Sequence, residues 1–265
     1  MEDVARLDIE PADIGIVAVS GQHADAGRIA RIPAERKPKG QPAQSPRARL
    51  IEASIRLLEE VGPEALRART VAAEIGASTM AVYTHFGGMN ELLDAVAAEA
   101  FARFGAALAV PETNDPVADF FAAGNAYRSY ALANPQRYRL MFGLVSPQTT
   151  RPAAGNLSAT GTPAESAVEA TSFNQMMHVV ERMIEAGRIR ADPVADVAGR
   201  LWSLVHGVVL LEITGYLGHE GHAATNILGP ATVDLLVGMG DERSRIEQSR
   251  AYAADRLAEQ APGSS

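Results

Sequence analysis

With 265 residues, 47% of them hydrophobic, the chain can hold a small module and a larger domain, each with its own core. It contains no cysteine, which excludes disulfides and thiolate metal sites and fits a cytoplasmic protein. No apolar run reads as long enough to span a bilayer, and Ile14–Val19 is too short for a secretory signal, so no membrane partner is expected.

The formal net charge is −8, yet the charge is unevenly spread. Arg28, Arg31, Arg36, Lys37, Lys39, Arg47, Arg49 and Arg56 face only Glu35 and Glu52 along one stretch. Binding to phosphates needs a basic face rather than a basic protein, so the net charge does not exclude a nucleic-acid partner. A basic run is also what a solvated tail looks like. Residues 1–45 show little hydrophobic periodicity, and four prolines break the segment Pro33–Pro46, which predicts a disordered basic arm.

Helical periodicity begins near Arg47. Ile51, Ile55 and Leu58 form a stripe that Val61 continues, and Gly62-Pro63 stops the helix. Two short helices are predicted at 68–75 and 79–85, separated by a tight Gly76-Ala77-Ser78 turn. A longer helix over 89–108 would bury Leu92, Leu93, Val96 and Phe101. This is the layout of a helix-turn-helix, whose second short helix enters the major groove of DNA.

Within that module Ser78 is placed to cap the second short helix, and Thr79 and Met80 lie in its first turn. A threonine hydroxyl can bond base edges, and a methyl-bearing side chain can contact a thymine methyl. Tyr83, Thr84 and His85 fall further along, where Tyr83 and His85 can donate to phosphate oxygens, while Val82 and Phe86 should seat the helix on Ile75 and Leu92. The block Ser78–Phe86, with its Tyr83, His85 and Phe86 ending, closely resembles the recognition helix of the TetR family of bacterial repressors. By that resemblance Arg69 matches an arginine of the preceding helix that can reach a base. Two positions depart from the family pattern: Arg67 stands where relatives carry a hydroxyl N-cap, and Met89 where they usually carry a phosphate-binding lysine. Weaker non-specific DNA affinity is the expectation, with Arg67 or the basic arm compensating.

Beyond Pro111–Pro116 the chain again reads as helical. Asp115 is a plausible N-cap with Pro116 at the first position of a helix to about Ala133, and Asn134-Pro135 restarts a short helix containing Tyr138 and Met141. Residues 146–163 read as a loop, followed by helices over 164–186, 193–216 and 231–239 and a charged tail helix over 241–259. The helix over 193–216 is apolar on nearly all sides and must be covered all round. Tyr127–Phe142 and Trp202–Glu212, with Trp202, His206 and Gly207, resemble the regulatory domain of a TetR subgroup named for that Trp-His-Gly motif. The resemblance covers about residues 46–240.

The expected fold class is therefore all-α. Residues 1–45 form the arm, 46–108 the helix-turn-helix domain with its connecting helix, 109–240 a ligand-binding and dimerisation bundle, and 241–265 a charged tail. The resemblance implies a homodimer, a palindromic double-stranded operator and a small-molecule effector. A two-fold pair also follows from one helix-turn-helix reading only a half-site. Gly207 and Gly215 would allow close helix approach there. Candidate ligand-binding residues are Phe121, Tyr127, Tyr130, Phe142, Met176, Met177, His178 and His206, which add polar tips to an apolar lining. Met and aromatic stripes at helical spacing also suit a plain core, and His206 a buried hydrogen-bonded residue. His219, Glu220 and His222 lack a convincing fourth partner, so neither a metal nor a cofactor is expected. No nucleophile elbow, phosphate-cradling glycine loop or inward Glu-x-x-His pair points to an enzyme.

Overall fold

The computed structural model describes residues 44–144, 167–218 and 221–260, and the regular structure in them is entirely helical. Helix α1 is Pro46–Glu60. Pro46 sits at its first turn, where a missing N–H costs nothing, and the Ser45 hydroxyl accepts the Ala48 N–H at 3.2 Å. Val61, expected to continue the buried stripe, is instead 58% exposed, because α1 has already ended and Gly62 turns the chain with φ 115°. A 3-10 turn at Pro63–Ala65 leads to α2 (Ala68–Glu74) and α3 (Met80–Phe86), and α4 follows as Met89–Leu108.

Gly76, with φ 69°, lies in the turn between α2 and α3, and Gly87, with φ 90°, ends α3. Both adopt the left-handed conformation that a side chain disfavours, which is why these short helices stop where they do. Leu50, Leu58, Val71, Val82, Leu92 and Val96 close into one core, with Ile75 and Phe86 packed against it. Burying such residues is worth roughly 1.5–3 kcal/mol each, which explains why helices of seven residues, unstable alone, hold their positions here.

Helix α5 (Pro116–Ala133) starts as the sequence predicts: the Asp115 Oδ1 accepts the N–H groups of Val117 and Ala118 at 3.0 and 3.2 Å. Helices α6 (Pro135–Met141), α7 (Ala167–Glu185) and α8 (Val194–Ile213) follow. A π-helical turn at Ala223–Leu228, unforeseen in the sequence, runs into α9 (Gly229–Gly238), and α10 is Arg243–Gln260. One bundle core gathers Phe120, Val180, Met183, Leu201, Leu236 and Ile246, and another joins Phe104, Tyr127, Tyr138, Met141, Val205 and Val209. The arm up to residue 43 and the loop at 146–163 lie outside the described residues, as do His219 and Glu220.

Two expectations change. Among the described residues α8 is, by length and composition, apolar enough to cross a membrane, contrary to the sequence reading. Its Leu201, Val205 and Val209 are buried against neighbouring helices, as the core helix of a helical bundle requires. The helix expected as a charged tail packs along α5, burying Ile246, Ser249 and Ala253. Its polarity is partly internal: Arg188 bridges to Asp241 at 2.8 Å and to Asp115 at 3.0 Å, and donates to the Ser249 hydroxyl at 3.1 Å. Ser249 in turn donates to Asp115 at 2.6 Å. Charges of both signs, mutually bonded, satisfy one another where water is excluded.

Candidate nucleic-acid interface and cavity

Helix α3 buries Val82 and turns its other side outward. Met80, Tyr83 and Thr84 stand at i, i+3 and i+4 spacing on that side and are exposed, Met80 at 65% and Tyr83 at 53%. Ser78, Thr79 and His85 are exposed beside them, and so are Arg67 and Arg69 on the adjoining α2. Arg67 occupies the N-cap position of α2 in an extended conformation and supplies no side-chain cap, consistent with its lacking a hydroxyl. Ser78 does not cap α3 either. Thr79 is the N-cap residue, already helical in backbone, and the Ser78 contribution is its carbonyl, which accepts the Ala81 N–H at 3.0 Å.

Two arginines beside this face are committed to building it. The Arg47 guanidinium lies 4.9 Å above the Phe86 ring, and Arg49 donates to the Ile75 carbonyl at 2.8 Å, satisfying a backbone group at the end of α2. Both come from the stretch that the sequence presents as a free basic run. Met89 is half-buried against the core of the head, so the position where a lysine was looked for serves packing.

Helix α4 leaves this head and enters the bundle. Its first half (Leu92, Val96, Ala97) belongs to the core of the head, and its second half (Phe101, Phe104, Leu108) packs with Tyr127, Tyr138 and Val209. At its far end a cavity of about 210 Å³ opens between α4, α5, α7 and Val205 of α8. Leu108, Phe120, Met176, Val179 and Tyr127 give it an apolar lining, and Gln175, Arg182 and Asp119 the polar part. Of the eight candidate ligand residues, Tyr127, Met176 and His178 line this cavity, His178 bonded to Glu112 at 3.0 Å.

The other candidates lie elsewhere. Phe121 borders a second cavity, of about 260 Å³, which shares Phe120, Gly124 and Val205 with the first. Met177 packs against the bundle core. Tyr130 donates to the Ala100 carbonyl at 3.3 Å, and Phe142 stacks edge-on against His206 with ring centroids 4.5 Å apart. His206 belongs to a hydrogen-bonded chain that closes on itself: the Tyr127 and Tyr138 hydroxyls lie 2.8 Å apart, and His206 Nδ1 lies 2.6 Å from Tyr138 and 3.1 Å from Tyr127. Burial raises both phenols above their ordinary range and lowers the imidazole, so all three stay neutral near pH 7. Gln175, Asp119 and Arg182 were not anticipated as cavity residues, because isolated polar residues within a helical pattern read as solvent-facing.

Among the described residues, an all-helical architecture with an exposed face on the second helix of a helix-turn-helix defines a DNA-binding regulator. Residues 50–96 match the family described as bacterial regulatory proteins of the tetR family, and residues 120–228 match the tetracyclin repressor-like C-terminal domain. Together these span more than half of the chain, and the chain belongs to the TetR family of DNA-binding transcription regulators rather than to an enzyme family. No match distinguishes the Trp-His-Gly subgroup. Among solved structures, a protein with unknown function from Rhodococcus sp. RHA1 is 28% identical, with a TM-score of 0.60, over 76% of this chain and 100% of that one. The fatty acid degradation regulator FadR from Bacillus halodurans shares the fold at 14% identity and a TM-score of 0.56, over 76% of this chain and 100% of its own. RolR in complex with resorcinol does so at 16% and 0.55, over 77% of this chain and 92% of its own. No curated protein sequence matches the chain significantly.

Proposed function

We propose that this regulator is a homodimeric repressor that a small molecule releases from a palindromic operator. The observation that carries the reading is the course of α4, which shares one core with the reading head and another with the bundle, and ends on the 210 Å³ cavity. A molecule seated there contacts Leu108, Ala109 and Val110 at the end of the helix that orients α2 and α3. It shifts DNA affinity to the extent that it binds the DNA-competent and incompetent arrangements unequally.

On the DNA side, Arg69, Thr79 and Met80 read base edges, Tyr83 and His85 bond phosphates, and Arg67, Ser78 and Thr84 flank them. Their exposure and the lack of intrachain side-chain hydrogen bonds to them, among the described residues, support this assignment. The two-fold pair forms through α8 and α9. Leu211 and Val237 are exposed large apolar residues there, and a side chain added at Gly207 would meet nothing in the monomer. Such a protein works in the cytoplasm, where its operator is.

Fluorescence anisotropy against DNA from upstream of its own gene, with scrambled DNA as control and a salt series, tests the reading. Sequence-selective binding that saturates at one dimer per palindrome is the expected result. Equal, steeply salt-dependent binding to both DNAs would reduce the interaction to electrostatic attachment.

A further inference from the structure

Gln175 of α7 lies in the cavity wall. Its Nε2 donates to the Gly105 carbonyl at 3.1 Å, which fixes the amide's orientation, since that carbonyl can only accept. The Oε1 is buried without a hydrogen-bond partner, alone among buried side-chain polar atoms of the described residues. An unpaired acceptor in a largely apolar wall is unfavourable, and a donor arriving with a ligand would remove the penalty.

The charges of the lining are already matched. Arg182 bonds Asp119 at 2.8 Å and the Thr113 carbonyl, and Asp119 also accepts the Thr113 N–H and hydroxyl at 2.9 and 2.8 Å. At the rim Glu112 adds a carboxylate beside His178. An anion entering the cavity would meet a guanidinium already paired with Asp119 and bonded to Thr113, and at the rim a carboxylate of its own sign. Size sets a further limit. An engineered apolar cavity of about 150 Å³ holds benzene. The 210 Å³ found here leaves room for one ring with a substituent.

We infer that this cavity takes a neutral single-ring molecule carrying a hydroxyl or N–H donor, seated with that donor on Gln175 Oε1. The inference rests on the reading of the cavity as the effector site and names the effector's chemical class. The same amide joins the ligand to α4. In the last turn of that helix the Ala109 N–H turns to the Ala106 carbonyl, so the Gly105 carbonyl is held by Gln175. A donor on Oε1 polarises the amide and strengthens its grip on Gly105, at the cavity end of the helix that leads to the reading head.

Calorimetric titration of the full chain with p-cresol, toluene and 4-methylbenzoate tests this. The expected order is p-cresol tightest, by roughly five- to tenfold over toluene as one net hydrogen bond provides, with the carboxylate weakest. Gln175→Leu should erase the advantage of p-cresol while toluene still binds, which also shows that the variant's cavity is intact. Equal binding of p-cresol and toluene overturns the inference, as does tightest binding of the carboxylate, failure of both neutral probes, or an advantage that survives in Gln175→Leu. Anisotropy with operator DNA separates this from the broader reading. If p-cresol binds as stated and operator affinity does not change, the ligand class stands and the effector role falls.

Discussion

On α2 and α3, Arg67, Arg69, Thr79, Tyr83, Thr84 and His85 are exposed and make no side-chain hydrogen bond within the described residues. In the bundle the corresponding chemistry is turned inward: Arg188, 6% exposed, bonds two carboxylates and a hydroxyl, and Arg182 bonds Asp119 and a carbonyl. Arg188 and Arg182 hold the bundle together, whereas these six residues of the head have no side-chain partner within the described residues. Stability and DNA affinity should therefore respond to different residues.

The strongest way to break that separation is Arg188→Ala. It leaves the Asp241 carboxylate, whose side chain is fully buried, without its counter-ion, and should cost about 3–5 kcal/mol in denaturant unfolding. A loss under about 1 kcal/mol would mean that the pair is not holding α10 against the bundle. In the head, Arg69→Ala should weaken specific operator binding by about 1–3 kcal/mol while unfolding stays within about 0.5 kcal/mol of the parent. If stability falls with affinity, Arg69 is a packing residue after all.

Acid should act on the bundle through His206. Burial lowers the His206 pKa below its ordinary 6.5, so between those two values the unfolded chain binds more protons than the folded one. The contribution is whole above the ordinary value and is lost as pH falls through it towards the folded pKa. The thermal midpoint should drop between about pH 7.5 and 5.5, and His206→Asn should flatten that drop. An unchanged slope would remove the Tyr127–Tyr138–His206 chain as its origin. The smallest effect is expected for Tyr83→Phe, which removes one phosphate donor and should weaken all DNA sequences about equally, by about 1 kcal/mol.

Much of the head is legible in the sequence because its instructions are local. Gly76 and Gly87 set where α2 and α3 end, and apolar spacing sets which face of α3 is buried. The capping role expected of Ser78 fails for a reason of one residue's register: the backbone is already helical at Thr79. Arg47 and Arg49 show a different limit, since a basic residue reads the same whether it meets DNA or, as here, an aromatic ring and a carbonyl. In the cavity, Met176 and Tyr127 carry a lining-like chemistry that can be noticed in sequence, whereas Gln175 and Arg182 cannot.

The sequence alone determined that this chain is helical, where most of its helices begin, and that it carries a helix-turn-helix of the TetR kind, because periodicity, caps and turn glycines act over a few residues. The tertiary structure decided which polar groups are matched and which are left over. Arg188 meets Asp241 across 53 positions, Arg182 meets Asp119 across 63, and Gln175 meets Gly105 across 70. Whether a polar atom is satisfied depends on neighbours that only the packing of distant helices supplies.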